Sequence, residues 1–197
     1  DIIERENIRN IPLLRTLLKF VSDNIGKQLS ATSIVKFLKS QNTETSAKMI
    51  LTYLEYLSNA FIIDRVNRYD IHGKRLFELG DKFYFEDLGI RNHIIGGNRR
   101  FDIEKVMENA VYIHLFSMVY KVYVVQMYKA EIDFVAEKAD NVAYVQVTYL
   151  LASEETVERE FGNLKLIKDS HPKYVIYMDR LYSQTNIDAV LICLKDT

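Results

Sequence analysis

The feature that most constrains this chain is a change in the period of its apolar residues. Over residues 7–60 they recur every three or four positions, the period of an amphipathic helix. Ile11, Leu14, Leu17, Leu18 and Val21 make one such stripe, and Gly26 follows as a stop. Ser30 stands where its hydroxyl can cap a second helix carrying Ile34, Phe37 and Leu38. After the polar turn SQNTETS, Thr43 or Thr45 can cap a third helix lined by Met49, Ile50, Tyr53, Leu54 and Leu57. From Phe61 onward the pattern changes to runs of β-branched and aromatic residues.

FIIDRVNRYDI (Phe61 to Ile71) and Lys74 to Leu79 are the first expected strands. His72, Gly73 and Lys74 form the tight turn between them, since glycine tolerates positive φ. Three helices followed by a hairpin is the order of a winged-helix module; a plain helical bundle with a stray hairpin is the alternative. DKFYFEDLGIRNHIIGG (Asp81 to Gly97) reads as a connector that begins with a short aromatic strand. A helix is expected from Asp102 to about Val119, then strands at Lys121 to Val125, Glu131 to Glu137 and Val142 to Tyr149. A helix capped by Ser153 and a strand from Lys173 to Met178 follow, and Ile187 to Leu194 fits either helix or strand. The expected organisation is a winged-helix module over 1–80 and an α/β domain with a mixed sheet over 81–197.

Composition narrows the classes. The 197 residues are 48% hydrophobic and 27% charged, which suits one large core or two small ones. The single cysteine, Cys193 in AVLICL, excludes an internal disulfide and a Cys-rich zinc site, and its surroundings suit a buried thiol. No apolar run approaches the roughly 20 residues that span a bilayer. With a polar N-terminus and no visible signal peptide, the expectation is a cytoplasmic protein with no membrane partner. Asp at position 1, in place of Met, suggests a fragment or a processed chain. Net charge is −1, divided as +4 over residues 1–100 and −5 over 101–197. Neither half has the bias of an obligate nucleic-acid binder.

The candidate chemistry lies in the second half. Glu108 is on the helix before the sheet, Glu131 and Asp133 are in EIDF, and Gln146 is in YVQVTY. On a regular strand, residues two apart share a face, so Glu131 would accompany Asp133, and Thr148 would accompany Gln146. Glu108, Asp133 and Gln146 are the candidate catalytic residues, with Glu108 and Asp133 as candidate Mg²⁺ ligands. Oxygen donors suit that ion, which can activate water and offset charge on a phosphate. Metal-dependent nucleases of the restriction-endonuclease fold combine a helix Glu, a strand Asp and Glu/Gln-x-Lys. Here the Lys position is Thr148. Arg159, Lys165 and Lys138 are the nearby basic residues that could replace it. The alternative is that Glu131 and Asp133 are strand-end charges and Gln146 a satisfied sheet amide.

In the first half, Lys48 on the third helix and Arg65, Arg68, Lys74 and Arg75 around the hairpin are candidate nucleic-acid contacts. Glu55 on the same helix speaks against base reading, so a protein-docking module is an equal alternative. The four histidines lack metal-ligand spacing, and no GxxxxGK[ST] or GxGxxG string occurs, so no Walker-type loop lies in these residues.

The strings DIIERENIRN, TYLEYLSNAFIIDRVNRYDIHGKRLFE, DKFYFEDLGIRN, MENAVYIHL, AEIDFVAEK, YVQVTY and EREFGNL run in order over nearly the whole chain. In these the chain resembles the C-terminal region, a domain of unknown function, of the prokaryotic AAA-type ATP-binding protein family. The resemblance implies an ATPase domain upstream, which would be the only source of ATP binding and this region's own partner. It also implies a restriction-endonuclease-like second half, with Glu108 in its helix motif, Asp133 in its E-[IV]-D-F motif and Gln146 in its Q-V motif. The expected function is an accessory region of such an ATPase, binding nucleic acid or a partner protein and carrying a degenerate nuclease-like site. An Mg-dependent DNA or RNA endonuclease and a purely protein-binding module are the alternatives.

Overall fold

The computed structural model describes residues 2–69, 80–97, 102–127, 131–151, 153–178 and 190–193. The chain divides into two compact units, Asp1–Val66 with Phe77–Arg99, and Asn67–Leu76 with Arg100–Thr197. The units therefore interleave along the sequence instead of meeting at residue 80. The run FIIDRVNRYDI, which reads as one strand, is split between two sheets. Its first part, β1 (Ile63–Val66), stays in the first unit, and β2 (Arg68–Tyr69) belongs to the sheet of the second.

The first unit begins with a short helix α1 (Ile2–Arg5), followed by α2 (Ile11–Asp23), α3 (Ala31–Ser40) and α4 (Ala47–Asn59). Asn10 caps α2 by accepting the Leu13 N–H at 3.0 Å, and Pro12 sits in the first turn, where its missing N–H costs nothing. Ser30 caps α3 in a reciprocal exchange with Ser33. Ser46, not Thr43 or Thr45, caps α4, accepting the Met49 N–H at 3.2 Å. The cap must be the last extended residue before the helix, and Ser46 occupies that place. The inner faces of these helices bury Leu13, Leu14, Leu17, Val21, Ile34, Leu38, Ile50, Tyr53, Leu54 and Leu57 around one core. Met49 and Phe37, expected on those faces, are exposed.

β1 pairs antiparallel with β3 (Lys82–Phe85), in register from Ile63↔Phe85 to Val66↔Lys82. The partner of β1 is thus the aromatic strand expected at the head of the connector. The expected strand Lys74 to Leu79 and the turn at His72 to Lys74 lie outside the described residues. Leu29, between α2 and α3, exchanges both main-chain hydrogen bonds with Asp81 at 2.9 and 3.0 Å. Gly80 makes that approach possible: its φ is +84°, and a Cβ there would stand 2.5 Å from the Leu29 carbonyl oxygen. The rest of the expected connector is a helix, α5 (Leu88–Ile95), capped by Asp87 and stopped by Gly96 at φ 82°. Arg91 of α5 is fully buried, and its Nε donates to the Ser22 carbonyl of α2 at 3.0 Å.

The second unit contains α6 (Ile103–Ser117), β4 (Lys121–Gln126), β5 (Glu131–Lys138), β6 (Asn141–Val147), α7 (Glu154–Lys165), β7 (Lys173–Tyr177) and β8 (Val190–Cys193). Its sheet has the order β2-β4-β5-β6-β7-β8. Strands β4, β5 and β6 form an antiparallel meander, while β2–β4, β6–β7 and β7–β8 are parallel. The mixed sheet and the order helix, three strands, helix, strand agree with the sequence pattern, and the ambiguous last segment is a strand over Val190–Cys193. Parallel neighbours need a long crossover, which α7 supplies between β6 and β7. Ser153 caps α7, with Glu154 and Glu155 in its first turn, where carboxylates favour the positive end of the helix dipole. Phe161, Leu164 and Ile167 bury against Val135, Tyr144, Val175 and Tyr177. Among the described residues, no helix is long and apolar enough to cross a membrane.

Two glycines separate space from propensity. Gly80→Ala is expected to lower stability by about 2 kcal/mol, because a left-handed residue gains a Cβ against a backbone oxygen. Gly162→Ala, inside α7 with open space at its Cβ, is expected to raise stability by about 0.5–1 kcal/mol. Urea unfolding followed by circular dichroism measures both, and equal signs would contradict the assignment.

Candidate functional site

The candidate residues of the second unit gather where β5 departs from regular pairing. Tyr123 of β4 faces Val135 and Val125 faces Ile132, so two steps on β4 span three on β5. Asp133 and Phe134 together oppose Val124, which is a β-bulge. A bulge breaks alternation, so the period of two does not run unbroken from Glu131 to Val135. Its effect is visible in Ile132 and Val135, three positions apart and both in one buried cluster.

On its other side, β5 is in regular register with β6 as far as Phe134↔Val145. One step beyond, side chains take over. The Val147 N–H donates to Asp133 Oδ2 at 2.8 Å, and the Asp133 N–H donates to Gln146 Oε1 at 3.4 Å. A carboxylate oxygen and an amide oxygen thus serve as acceptors for main-chain donors that the bulge takes out of the ladder. Gln146 is buried and lies opposite Val175 of β7. Thr148, at the expected lysine position, is buried; its N–H donates to the Ile176 carbonyl at 2.9 Å.

The other candidates have separate settings. Glu108 is half-buried in the middle of α6, the helix whose Tyr112 ring lies 6.2 Å from that of Phe134. Glu131 is half-buried, and its carbonyl accepts from Asn163 Nδ2 of α7 at 3.3 Å. Among the described residues, no group of three or more His, Cys, Asp or Glu side chains is placed to hold a metal ion. The basic candidates differ in their settings. Lys138 Nζ donates to the Met118 carbonyl at 2.9 Å. Arg159 bonds Glu160 through both Nε and Nη2, and that hydrogen bonding, with the charges of Glu160, Glu104 and Glu155, raises its pKa. Lys165 is exposed in the last turn of α7.

The candidate nucleic-acid residues are also divided. Lys48 is exposed on α4, with exposed Leu51 and Glu55 one and two turns on, so its charge is offset by a carboxylate on the same helix. Arg65 pairs with Asp81 at 2.6 Å. Arg68 is only 9% exposed, because β2 is tied into the second sheet opposite Val124, and so it is not a solvent-facing cation. Lys74 and Arg75 lie outside the described residues.

A further polar cluster holds the turn between α7 and β7. The Tyr144 hydroxyl donates to Asp169 Oδ2 at 2.6 Å, and the Lys173 ammonium and His171 N–H donate to Oδ1, each at 3.1 Å. Lys173 also bonds the Asp169 and His171 carbonyls. The string DSHPK carried the signal for this: an Asp accepting from the N–H two residues on is an Asx-turn. Burial alone would raise the Asp169 carboxyl, but the Tyr144, Lys173 and His171 hydrogen bonds and the Lys173 charge outweigh it and hold the carboxyl below the usual aspartate range.

Two measurements follow from these contacts. Asp133→Ala is expected to cost about 1–3 kcal/mol in urea unfolding, since the Val147 N–H loses its acceptor, and Asp133→Asn less. A gain in stability on truncation would instead mark a strained functional carboxylate. For Asp169 the folded pKa is depressed, so its stabilisation is present above the unfolded pKa and fades as pH falls through the folded one. Wild type is expected to exceed Asp169→Asn in stability at neutral pH, with the gap closing in acid below about pH 4; a constant gap would contradict it.

Known proteins place the chain in sequence terms. It is 35% identical over 190 residues to an uncharacterized protein of Haemophilus influenzae, covering 96% of this chain and 46% of that protein. It is 28% identical over 198 residues to an uncharacterized protein of Methanocaldococcus jannaschii, covering 95% of this chain and 43% of that protein. The chain therefore spans less than half the length of these relatives. No solved structure matches it. Residues 1–100 match the family described as Domain of unknown function (DUF8612), a stretch that ends beside Arg99, the last residue of the first unit. The match covers half of the sequence, and the chain belongs to the DUF8612 family.

Proposed function

We propose that this chain is a non-catalytic accessory region of a larger AAA-type ATP-binding protein, and that its first unit docks a partner protein. The observation that carries the reading is the exchange between Asp133 and Gln146. A hydrolytic carboxylate must offer its oxygens to a metal or to water. Asp133 instead gives one oxygen to the Val147 N–H, and Gln146 gives its oxygen to the Asp133 N–H. With Thr148 in place of the lysine, these residues serve the sheet, as in a restriction-endonuclease-like domain whose site has decayed.

The order of the first unit supports a winged-helix reading: a helix, the Leu29 bridge, two helices, and the β1–β3 pair. In such modules the third helix of the core is the recognition element. Here that helix is α4, and it presents Leu51 between Lys48 and Glu55, with Arg65 neutralised by Asp81. That surface suits a protein better than a phosphate backbone, which is bound by uncompensated cations. The length of the relatives supports a further domain, and ATP would bind there.

The decisive experiment is incubation of the chain with plasmid and single-stranded DNA or RNA in Mg²⁺ or Mn²⁺, together with a duplex-binding salt titration. No cleavage and no steep fall of affinity with salt are expected. Cleavage that Asp133→Ala abolishes would overturn the non-catalytic reading in favour of a Mg-dependent nuclease. A steep negative salt slope that Lys48→Ala flattens would transfer the first unit to nucleic acid.

A further inference from the structure

Asn67 is the whole of the link between strands of two sheets. β1 ends at Val66 and pairs with β3 through four residue pairs, and β2 begins at Arg68 and pairs with β4. One residue spans at most about 3.6 Å, so the link holds no slack. β2 is two residues long, and it is the last strand on that side of its sheet among the described residues. So short a strand gains little from its own pairing. The four-pair ladder immediately before it sets where it lies.

The connection upstream is as tight. Between α4 and β1 the Phe61 N–H bonds the Ser58 carbonyl at 3.0 Å, and the Ile62 N–H bonds the Leu57 carbonyl at 3.1 Å. Ile63 of β1 is fully buried in the same cluster as Leu57 of α4. Downstream, the Asn67 carbonyl accepts from the Val124 N–H at 3.1 Å. Val124 is buried, and on its other side lies the bulge of β5, where Asp133 and Phe134 together oppose it. One residue of β4 thus receives the link on one edge and the bulge on the other. Asp133 in turn holds the Val147 N–H of β6 at 2.8 Å. Strands packed in this way part or change register; they do not stretch.

We infer that Asn67 is a slack-free strap through which the state of the first unit is passed to the bulge at Asp133. A shift of α4 moves β1, β1 draws on β2, and β2 loosens or seats β4 at Val124. The inference rests on the proposed docking of a partner at the first unit and adds a response in the second. An occupied α4 steadies β1, and with it the bond from Val147 to Asp133. Coupling of this kind is reciprocal, so loss of the Asp133 bond weakens partner binding in turn.

Hydrogen exchange followed amide by amide by NMR tests the strap without any partner. The perturbation is Gly80→Ala, which sets a Cβ against the Leu29 carbonyl just before β3, the partner of β1. The Val124 and Val147 N–H groups are the probes. The Tyr144 N–H, which points away from β5 to the Pro172 carbonyl at 2.9 Å, is the reference. Exchange at both probes is expected to quicken roughly tenfold relative to the reference. Ser46→Ala, which removes the cap of α4, is the milder perturbation and is expected to act in the same direction. Two glycines inserted between Val66 and Asn67 supply slack and are expected to abolish the response to Gly80→Ala. Probes that only keep pace with Tyr144 would overturn the inference, and so would a response that survives the insertion. Either failure leaves the docking reading in place, whereas a steep salt slope in duplex binding ends the docking reading and leaves the exchange comparison standing.

Discussion

A carboxylate oxygen of Asp133 receiving the Val147 N–H lets the central sheet of the second unit tolerate an extra residue in β5. A bulge removes main-chain groups from their regular partners, and a buried donor without an acceptor is costly. Asp133 supplies one acceptor and Gln146 the other, so the two strands stay joined one step past their last regular pair. The strands around this point carry the parallel additions β7 and β8 on one side and β4 with β2 on the other. Asp133 is therefore a structural member of the sheet on which the second unit is built.

A second constraint acts on the first unit. The chain leaves β1 at Val66 and enters β2 at Arg68, so a single residue, Asn67, separates strands of different sheets. The Asn67 carbonyl accepts from the Val124 N–H at 3.1 Å, which continues the pairing of β2 with β4. Within the first unit, β1 takes β3 as its partner, and the Leu29–Asp81 bridge adds a third point of pairing. The buried Arg91 guanidinium then binds α5 to the end of α2 through the Ser22 carbonyl. A charged group buried this way is stable only with such hydrogen bonds.

Much of the local architecture was legible in advance because it depends on neighbours in sequence. The stripes of α2, α3 and α4, the Ser30 and Ser153 caps, and strands β4 to β7 follow from periodicity and capping chemistry, which act over a few residues. The misreadings share a cause. The division of Phe61 to Ile71 between two sheets, the choice of Lys82–Phe85 as partner of β1, and the burial of Arg68 depend on pairings between distant segments. α5 escaped notice because eight residues of weak amphipathicity look like a connector, and its inward arginine reads as a surface charge. The candidate site was half legible. Asp133 and Gln146 do meet, but the bulge that makes them exchange main-chain hydrogen bonds depends on the pairing of β5 with β4, which spacing along one strand does not reveal.

Amino-acid order alone was sufficient for the two kinds of element, the succession of elements from α6 to β7, the starts of α3, α6 and α7, and the meeting of EIDF with YVQV. Each of these depends on interactions close along the chain or on a hydrophobic period that survives any tertiary arrangement. Folding had to settle which strand lies beside which, where the pleat is interrupted, and whether a charged side chain faces solvent or carries a main-chain hydrogen bond. Those outcomes depend on partners supplied by remote segments, and a carboxylate has the same identity in the sequence whether it serves a metal, water or the backbone of the next strand.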